Sequence, residues 1–406
     1  MPDAHALLAP SAAKRWMTCT PSARVEAQLP ERDSIYAREG TIAHAVAECL
    51  LRYYLEAQPI AVYDDPLDYI TSIYLAVPQL RELSLECEQE GFDWFELIHT
   101  VHDNYVAIVW ADYVTAKAEN EDAVLLVETR VDLDDYVPES FGSSDAIIIW
   151  GHKMYVYDLK YGRGVRVSAK GNPQMRLYAL GALIGPGETY AVQDIRMTIV
   201  QPRLHAVSSD SISAADLLVW TLTELAPKAD LAWKGEGDFV PGSHCEFCRA
   251  KATCQALREY TSRVVQSAGA PEQMTAEELA DVLGKLATIE SWIAGVKARA
   301  MEMLEGGEAV PGWKLVEGRS VRKIYKEAEA RAVLRQAGFK PEDYDKVELR
   351  GITDLTRLVG GAKTFNTLLG DLVERQPGKP ALAPEDDPRA PYQPAASAEV
   401  AFANDL

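Results

Sequence analysis

Apolar positions along the chain follow two rhythms. Four runs have the alternating or unbroken apolar character of strands: Val124 to Glu128, Ala146 to Trp150, Met154 to Lys160 and Asp194 to Val200. Elsewhere the spacing is helical. Ile70, Ile73, Tyr74, Val77, Leu80 and Leu83, then Ile98, Val101, Tyr105, Ile108 and Val109, predict helix from about Leu67 to Asn120. A short helix is expected between Ser11 and Gln28, and another from Ile42 to about Glu56, with Thr41 as its N-cap. Asn172-Pro173 is a start signal, since Asn caps and Pro loses nothing at the first helical position; Gly181, Gly185 and Gly187 are expected to end that helix. Ala214 to Trp233 reads as helix, with Leu217, Leu218, Leu225 and Leu231 as packing positions. Thr275-Ala276-Glu277-Glu278 is a capping box opening a seam of Leu279, Val282, Leu286, Ile289, Ile293 and Val296 that Gly306-Gly307 ends. Beyond it a short hairpin (Trp313 to Val316, Ser320 to Tyr325) and two small helices (Ala328 to Gln336, Thr353 to Val359) are expected. The proline-rich stretch from Gln376 is expected to be disordered.

The two central strands carry the candidate chemistry. Gly151-His152 between them fits a type II′ turn, whose register sets Trp150 against Lys153 and Asp145 against Asp158. Facing carboxylates repel unless a cation sits between them. Lys160, two residues past Asp158, shares its face. Two carboxylates and a lysine suit metal-assisted phosphodiester hydrolysis; the alternative is an exposed hairpin with ordinary surface charges. Gln174 and Tyr178 share a helix face, either as a polar stripe or as a pair contacting nucleic acid.

Length and charge narrow the picture. The 406 residues suffice for two or three domains. No apolar run reaches ~18 residues, so no membrane-spanning helix is expected, and the N-terminus lacks the pattern of a signal peptide. A cytoplasmic protein is expected. The net charge of −20 argues against a nonspecific coat on nucleic acid. Between Gly151 and Leu180, however, Lys153, Lys160, Arg163, Arg166, Lys170 and Arg176 face one acid, Asp158, which suits a groove engaging phosphates. Cys245, Cys248 and Cys254 form a Cys-x2-Cys-x5-Cys metal signal. Cys19, in a turn before Pro21, is the natural fourth ligand; Cys49 reads as core, and Cys87 has no assigned role.

Gly40-Thr41-x-x-His44, Gly142-x-x-Asp145, Asp158-x-Lys160, Gln174-x-x-x-Tyr178 and the split cysteine set, in this order, resemble the RecB-like branch of the PD-(D/E)XK nucleases. Within it they resemble phage-associated proteins with an AddB-type split-cysteine iron–sulfur site. The resemblance spans about Pro10 to Leu257. It implies an α/β restriction-endonuclease-like core, a mixed central sheet flanked by helices, over residues 1–262. A C-terminal helical and small α+β region (263–375) and a tail (376–406) complete the chain. It implies that His44, Asp145, Asp158 and the Leu159 carbonyl hold Mg²⁺ or Mn²⁺, the imidazole leaning toward Mn²⁺. Lys160 would assist the attacking water, and Gln174 and Tyr178 would position the DNA strand or the lysine. Cys19, Cys245, Cys248 and Cys254 would hold a 4Fe–4S cluster, with zinc as the alternative. The implied activity is a deoxyribonuclease, an exonuclease on single strands or DNA ends, in phage replication or recombination in a bacterial or phage-infected cell. With no G-x-x-x-x-G-K-[ST] in the chain, unwinding would fall to a separate helicase or recombination partner. The rival readings are a catalytically inactive DNA-binding module of the same fold and a zinc-bound scaffold.

Overall fold

The computed structural model describes residues 6–30, 35–57, 73–267 and 274–314. The chain divides into two compact units, Met1–Ser320 and Val321–Leu406. All described residues belong to the first. The hairpin beyond Lys314, the small helices and the tail expected toward the C-terminus lie outside the described residues, as does Ile70 of the helix expected from about Leu67.

The centre is a five-stranded mixed sheet in sequence order: β1 (Val124–Asp132), β2 (Phe141–Trp150), β3 (Lys153–Leu159), β4 (Asp194–Gln201) and β5 (Ala206–Ser213). Only β3 and β4 run parallel. Parallel neighbours need a crossover, here made by a helix spanning Pro173–Ile184. The β2–β3 turn forms as the sequence predicts: Trp150 pairs with Lys153, and Gly151 takes a positive φ of 50° while His152 does not. The last rung is Ala146 opposite Tyr157. Continuing that register sets Asp145 against Asp158, where the strands fork.

Helices cover both faces, which explains the unbroken apolar run of β2. Ile148 and Trp150 pack under α3 (Ile35–Ala57), α4 (Pro78–Gln89), α5 (Trp94–Val101) and α6 (Ala107–Glu119). Ile147 and Ile149 pack under α1 (Ala13–Thr18), α2 (Ser22–Ala27), α7 (Pro173–Ile184), α8 (Ala214–Trp220) and α9 (Ala226–Lys234). A π-helical turn, His102–Val106, joins α5 to α6, and another, Thr221–Leu225, joins α8 to α9. Leu217 and Leu225 are buried in this layer, but Leu231 is exposed.

Two expected boundaries move. Thr41 is not an N-cap: α3 begins at Ile35, and the Thr41 hydroxyl donates back to the Ala37 carbonyl at 3.0 Å. One interior glycine costs a helix about 1 kcal/mol. Against that cost stand ion pairs of the added turns, Arg38 with Glu90 and Glu39 with Arg203. Gly181 does not end α7. It lies inside, because a Cβ there would meet the Val131 Cβ at 2.7 Å, so glycine lets the helix sit close on β1. The Asn172 cap forms as predicted, its Oδ1 accepting the Gln174 N–H at 2.9 Å. So does the Thr275 capping box, which opens α11 (Ala276–Glu305) after α10 (Gln255–Ser267). Along α11 Ile289 is buried, while Leu279, Leu286, Ile293 and Val296 are exposed among the described residues.

Candidate metal centre

The fork between β2 and β3 leaves two acids without a backbone ladder to hold them. The Asp145 Oδ2 replaces the missing rung by accepting the Leu159 N–H at 2.6 Å. Its Oδ1 lies 3.2 Å from His44 Nδ1 on α3. Asp158 is 2% exposed. Its Oδ1 accepts from Lys160 Nζ at 3.1 Å and from Gln174 Nε2 at 2.9 Å, and the same amide reaches the Tyr178 hydroxyl at 3.2 Å. Lys160 Nζ also stands 3.0 Å from Oδ2 as an ion pair, but Oδ2 accepts no hydrogen bond. Buried carboxylate oxygens are seldom left this way. The structure thus brings together His44, Asp145, Asp158, Lys160, Gln174, Tyr178 and the Leu159 backbone.

Two further residues reach the same place. Glu128 follows the apolar run of β1, opposite Asp145 in the β1–β2 register, and has a φ of 46°. A left-handed non-glycine inside a strand is uncommon, and such strain concentrates at functional sites. Its Oε2 accepts from Ser143 Oγ at 3.0 Å, and Oε1 lies 4.0 Å from His44 Nδ1. Ligand atoms of His44, Glu128 and Asp145 all lie within 4.8 Å of one another. Tyr105, in the π-helical turn, is fully buried, and its hydroxyl has no partner. Period counting places Tyr105 in the core, but neither its hydroxyl's destination nor the β1–β2 register is readable from spacing. The one signal for Glu128 is an acid closing a Val-Leu-Leu-Val run.

The electrostatics are those of too much negative charge in too little water. Burial pushes Asp158 above the usual carboxylate range against the pull of Lys160, and Asp145 adds repulsion. Burial and Asp145 raise Glu128 to about 7. Burial disfavours the His44 imidazolium, yet the neighbouring carboxylates, Asp145 foremost, outweigh it and hold His44 up to about 9. Burial and the same three carboxylates push Tyr105 up. One proton on His44 or Glu128, or a bound cation, relieves the repulsion. The donors fit a hard divalent ion: carboxylate oxygens and one imidazole.

Pro10 and Tyr178 close over Gly142, where a Cβ would meet Pro10 Cγ and Tyr178 Cε1, each at 2.9 Å. The glycine of Gly142-x-x-Asp145 is thus a close-approach position that seats α7 on the site.

The basic strip divides. Arg166, Lys170 and Arg176 line one cavity with Lys160. Lys153 lies at the other end of β3, bound to Glu119 at 2.9 Å, and Arg163 pairs with Glu96. The structure does not bring these two into that cavity.

Cys19, Cys245, Cys248 and Cys254 line another cavity, of about 390 Å³, beside Phe239, Val240 and Leu257. Cys19 occupies the turn between α1 and α2, as its sequence setting suggests. Burial raises the Cys19 and Cys245 thiols, and burial with Glu26 nearby raises Cys248 to about 12. Glu26, 4% exposed, ties the N-terminal segment to the cysteine loop, accepting from Arg15 Nε at 2.5 Å and the Arg249 N–H at 2.7 Å. Cys49 is half-buried against the core and Cys87 fully buried within it.

A helix-flanked mixed sheet with a histidine–carboxylate cluster at the fork of its central strands defines an α/β protein with a candidate cation site. By sequence the chain belongs to the family described as protein of unknown function (DUF2800), matched over residues 5–390.

Proposed function

We propose that this chain is a metal-dependent DNA nuclease, similar in its site to the RecB-like PD-(D/E)XK enzymes. The observation that carries the reading is the buried Asp145/Asp158 pair at the fork, with the ligand atoms of His44 and Glu128 within 4.8 Å of that of Asp145 and the Asp158 Oδ2 accepting no hydrogen bond. A divalent Mg²⁺ or Mn²⁺ held by these residues, with the Leu159 carbonyl as a further oxygen, supplies charge neutralisation at a phosphate and a lowered pKa for a bound water. The chain's own groups do the rest. Lys160 stands beside Asp158, where its side chain can orient a water or offset charge developing on the phosphate. Gln174 fixes Asp158 and Tyr178 relative to each other. The strand scission implied is of single strands or ends, with any unwinding left to a partner.

For the cysteine cavity we propose a 4Fe–4S cluster. The four thiols lining one cavity support it, with zinc as the alternative. Visible absorbance separates the two, since zinc thiolates have none.

The test is cleavage of end-labelled single- and double-stranded DNA with Mn²⁺. Wild-type protein is expected to cut and Asp158→Ala to lose cutting while keeping its fold. Full activity of a well-folded Asp158→Ala protein rules the reading out. Metal-independent DNA binding without any cutting in wild type would favour the inactive DNA-binding module.

A further inference from the structure

The fold gathers cations that the sequence scatters. One cavity of about 760 Å³ runs from Lys160 and Gln174 at the metal centre to His244 and Phe247 in the cysteine loop. Its walls bring Lys14 of α1 together with Arg166 and Lys170 of the β3–α7 loop and Arg176 of α7. Among the described residues none of these four makes an ion pair. Acids outnumber bases 61 to 41 in the chain, so four cations without an ion pair in one groove, whose one acid Glu224 pairs with Lys228, are not the average surface. Arg176 lies over the Trp220 ring at 5.2 Å, and its Nε is buried without an acceptor. At the far end Phe247 is 65% exposed, between Cys245 and Cys248, where nothing in the hydrophobic core needs it.

We propose that this groove is the path of a single nucleic-acid strand, with Lys14, Arg166, Lys170 and Arg176 tracking its phosphates and Phe247 stacking on an unpaired base. The proposal deepens the nuclease reading and rests on it only for the strand's destination at Asp158. Phosphates match unpaired cations that share one wall system. An exposed aromatic at the rim matches a base face, which a duplex keeps inside its stack. Arg176, on the wall of the groove, holds its guanidinium over Trp220 beside that path. The cysteine loop then has a second consequence: whatever group its thiols hold fixes the position of Phe247 relative to the groove.

Binding is measured in EDTA, where no cleavage occurs, with a 2-aminopurine-labelled single strand and the corresponding blunt duplex. Wild-type protein is expected to prefer the single strand and to quench the probe. In the Lys14→Ala, Arg166→Ala, Lys170→Ala triple variant the slope of log affinity against log salt should fall by about 2, at ~0.7 per lost phosphate contact. Phe247→Ala should weaken single-strand binding about tenfold, abolish the quench and leave duplex binding unchanged. All four side chains are exposed, so melting curves should match wild type. An unchanged salt slope, or a quench that survives Phe247→Ala, overturns the path even if the protein cuts DNA. Groove-dependent binding by a wild-type protein that never cuts would instead overturn the nuclease reading and leave the path standing.

Discussion

The Asp145 and Asp158 carboxylates sit at the fork because the II′ turn at Gly151 fixes their register several residues away. Protonation of their neighbours should govern metal binding. Glu128 has a folded value of about 7 against an ordinary 4.5, and His44 about 9 against 6.5. Both are raised, so in the metal-free protein each contributes stability that is complete below its ordinary value. That stability is lost as pH rises through the folded value. The melting temperature of metal-free protein should therefore fall from about pH 4.5 to 7 through Glu128 and from about 6.5 to 9 through His44, the second part less so in His44→Gln. A metal ion competes with the same protons, so Mn²⁺ affinity should rise over that window. A Mn²⁺ affinity flat from pH 7 to 9 would remove His44 from the ligand set. Gly142→Ala is a steric test of the same site. Its Cβ must displace Pro10 or Tyr178, an overpacking that costs about 1–3 kcal/mol. Denaturant unfolding should show that loss; an unchanged midpoint would mean Pro10 yields freely.

Among the elements, those carrying their own local signals were legible. Gly151 between two apolar runs predicted the hairpin register, Asn172-Pro173 the start of α7, and Thr275 to Glu278 the start of α11. Elements decided by tertiary contact were not. The first turns of α3 form against Glu90 and Arg203, remote in sequence, so Gly40-Thr41 reads as a boundary when it is interior. The edge strand β5, Ala-Val-Ser-Ser-Asp-Ser-Ile-Ser, has too few apolar residues to register as a strand and is held by its pairing to β4. Glu128 and Tyr105 were illegible as site residues because a left-handed φ and a π-helical turn aim them. The N-terminal segment is also held by groups other than cysteines. Besides Cys19, Glu26 joins α2 to Arg249, Thr20 donates to Glu236 O, and Arg24 to Trp233 O. Cys19→Ser should therefore bleach any cluster yet leave the first ~30 residues partly protected from protease. Glu26→Ala, which strands the Arg249 N–H, should cost about 1–3 kcal/mol without changing the colour. Retained colour in Cys19→Ser would place the fourth ligand elsewhere.

At the scale of the molecule, the sheet supplies a rigid fork, the α3–α6 layer delivers His44 and Tyr105, and α7 delivers Gln174 and Tyr178. Helix α11 bears on the cysteine loop: Lys251 Nζ reaches Ser291 Oγ at 3.0 Å, and Ser291 Oγ reaches the Glu246 carbonyl at 3.3 Å. The cysteine loop is thus braced by a helix C-terminal to it. Against a net charge of −20 over the whole chain, the cations gathered beside Lys160 stand out, and the proposed strand path rests on them. The proposed chemistry at Asp145 and Asp158, unlike the brace and the groove, depends on a divalent ion at the fork. Calorimetric titration of the metal-free protein with Mn²⁺ at pH 8 tests that most directly. Wild-type protein should take up Mn²⁺ with release of protons, and Asp145→Ala, which removes the carboxylate shared by His44 and Glu128, should abolish the heat. Equal Mn²⁺ binding by wild type and a folded Asp145→Ala protein would contradict the account.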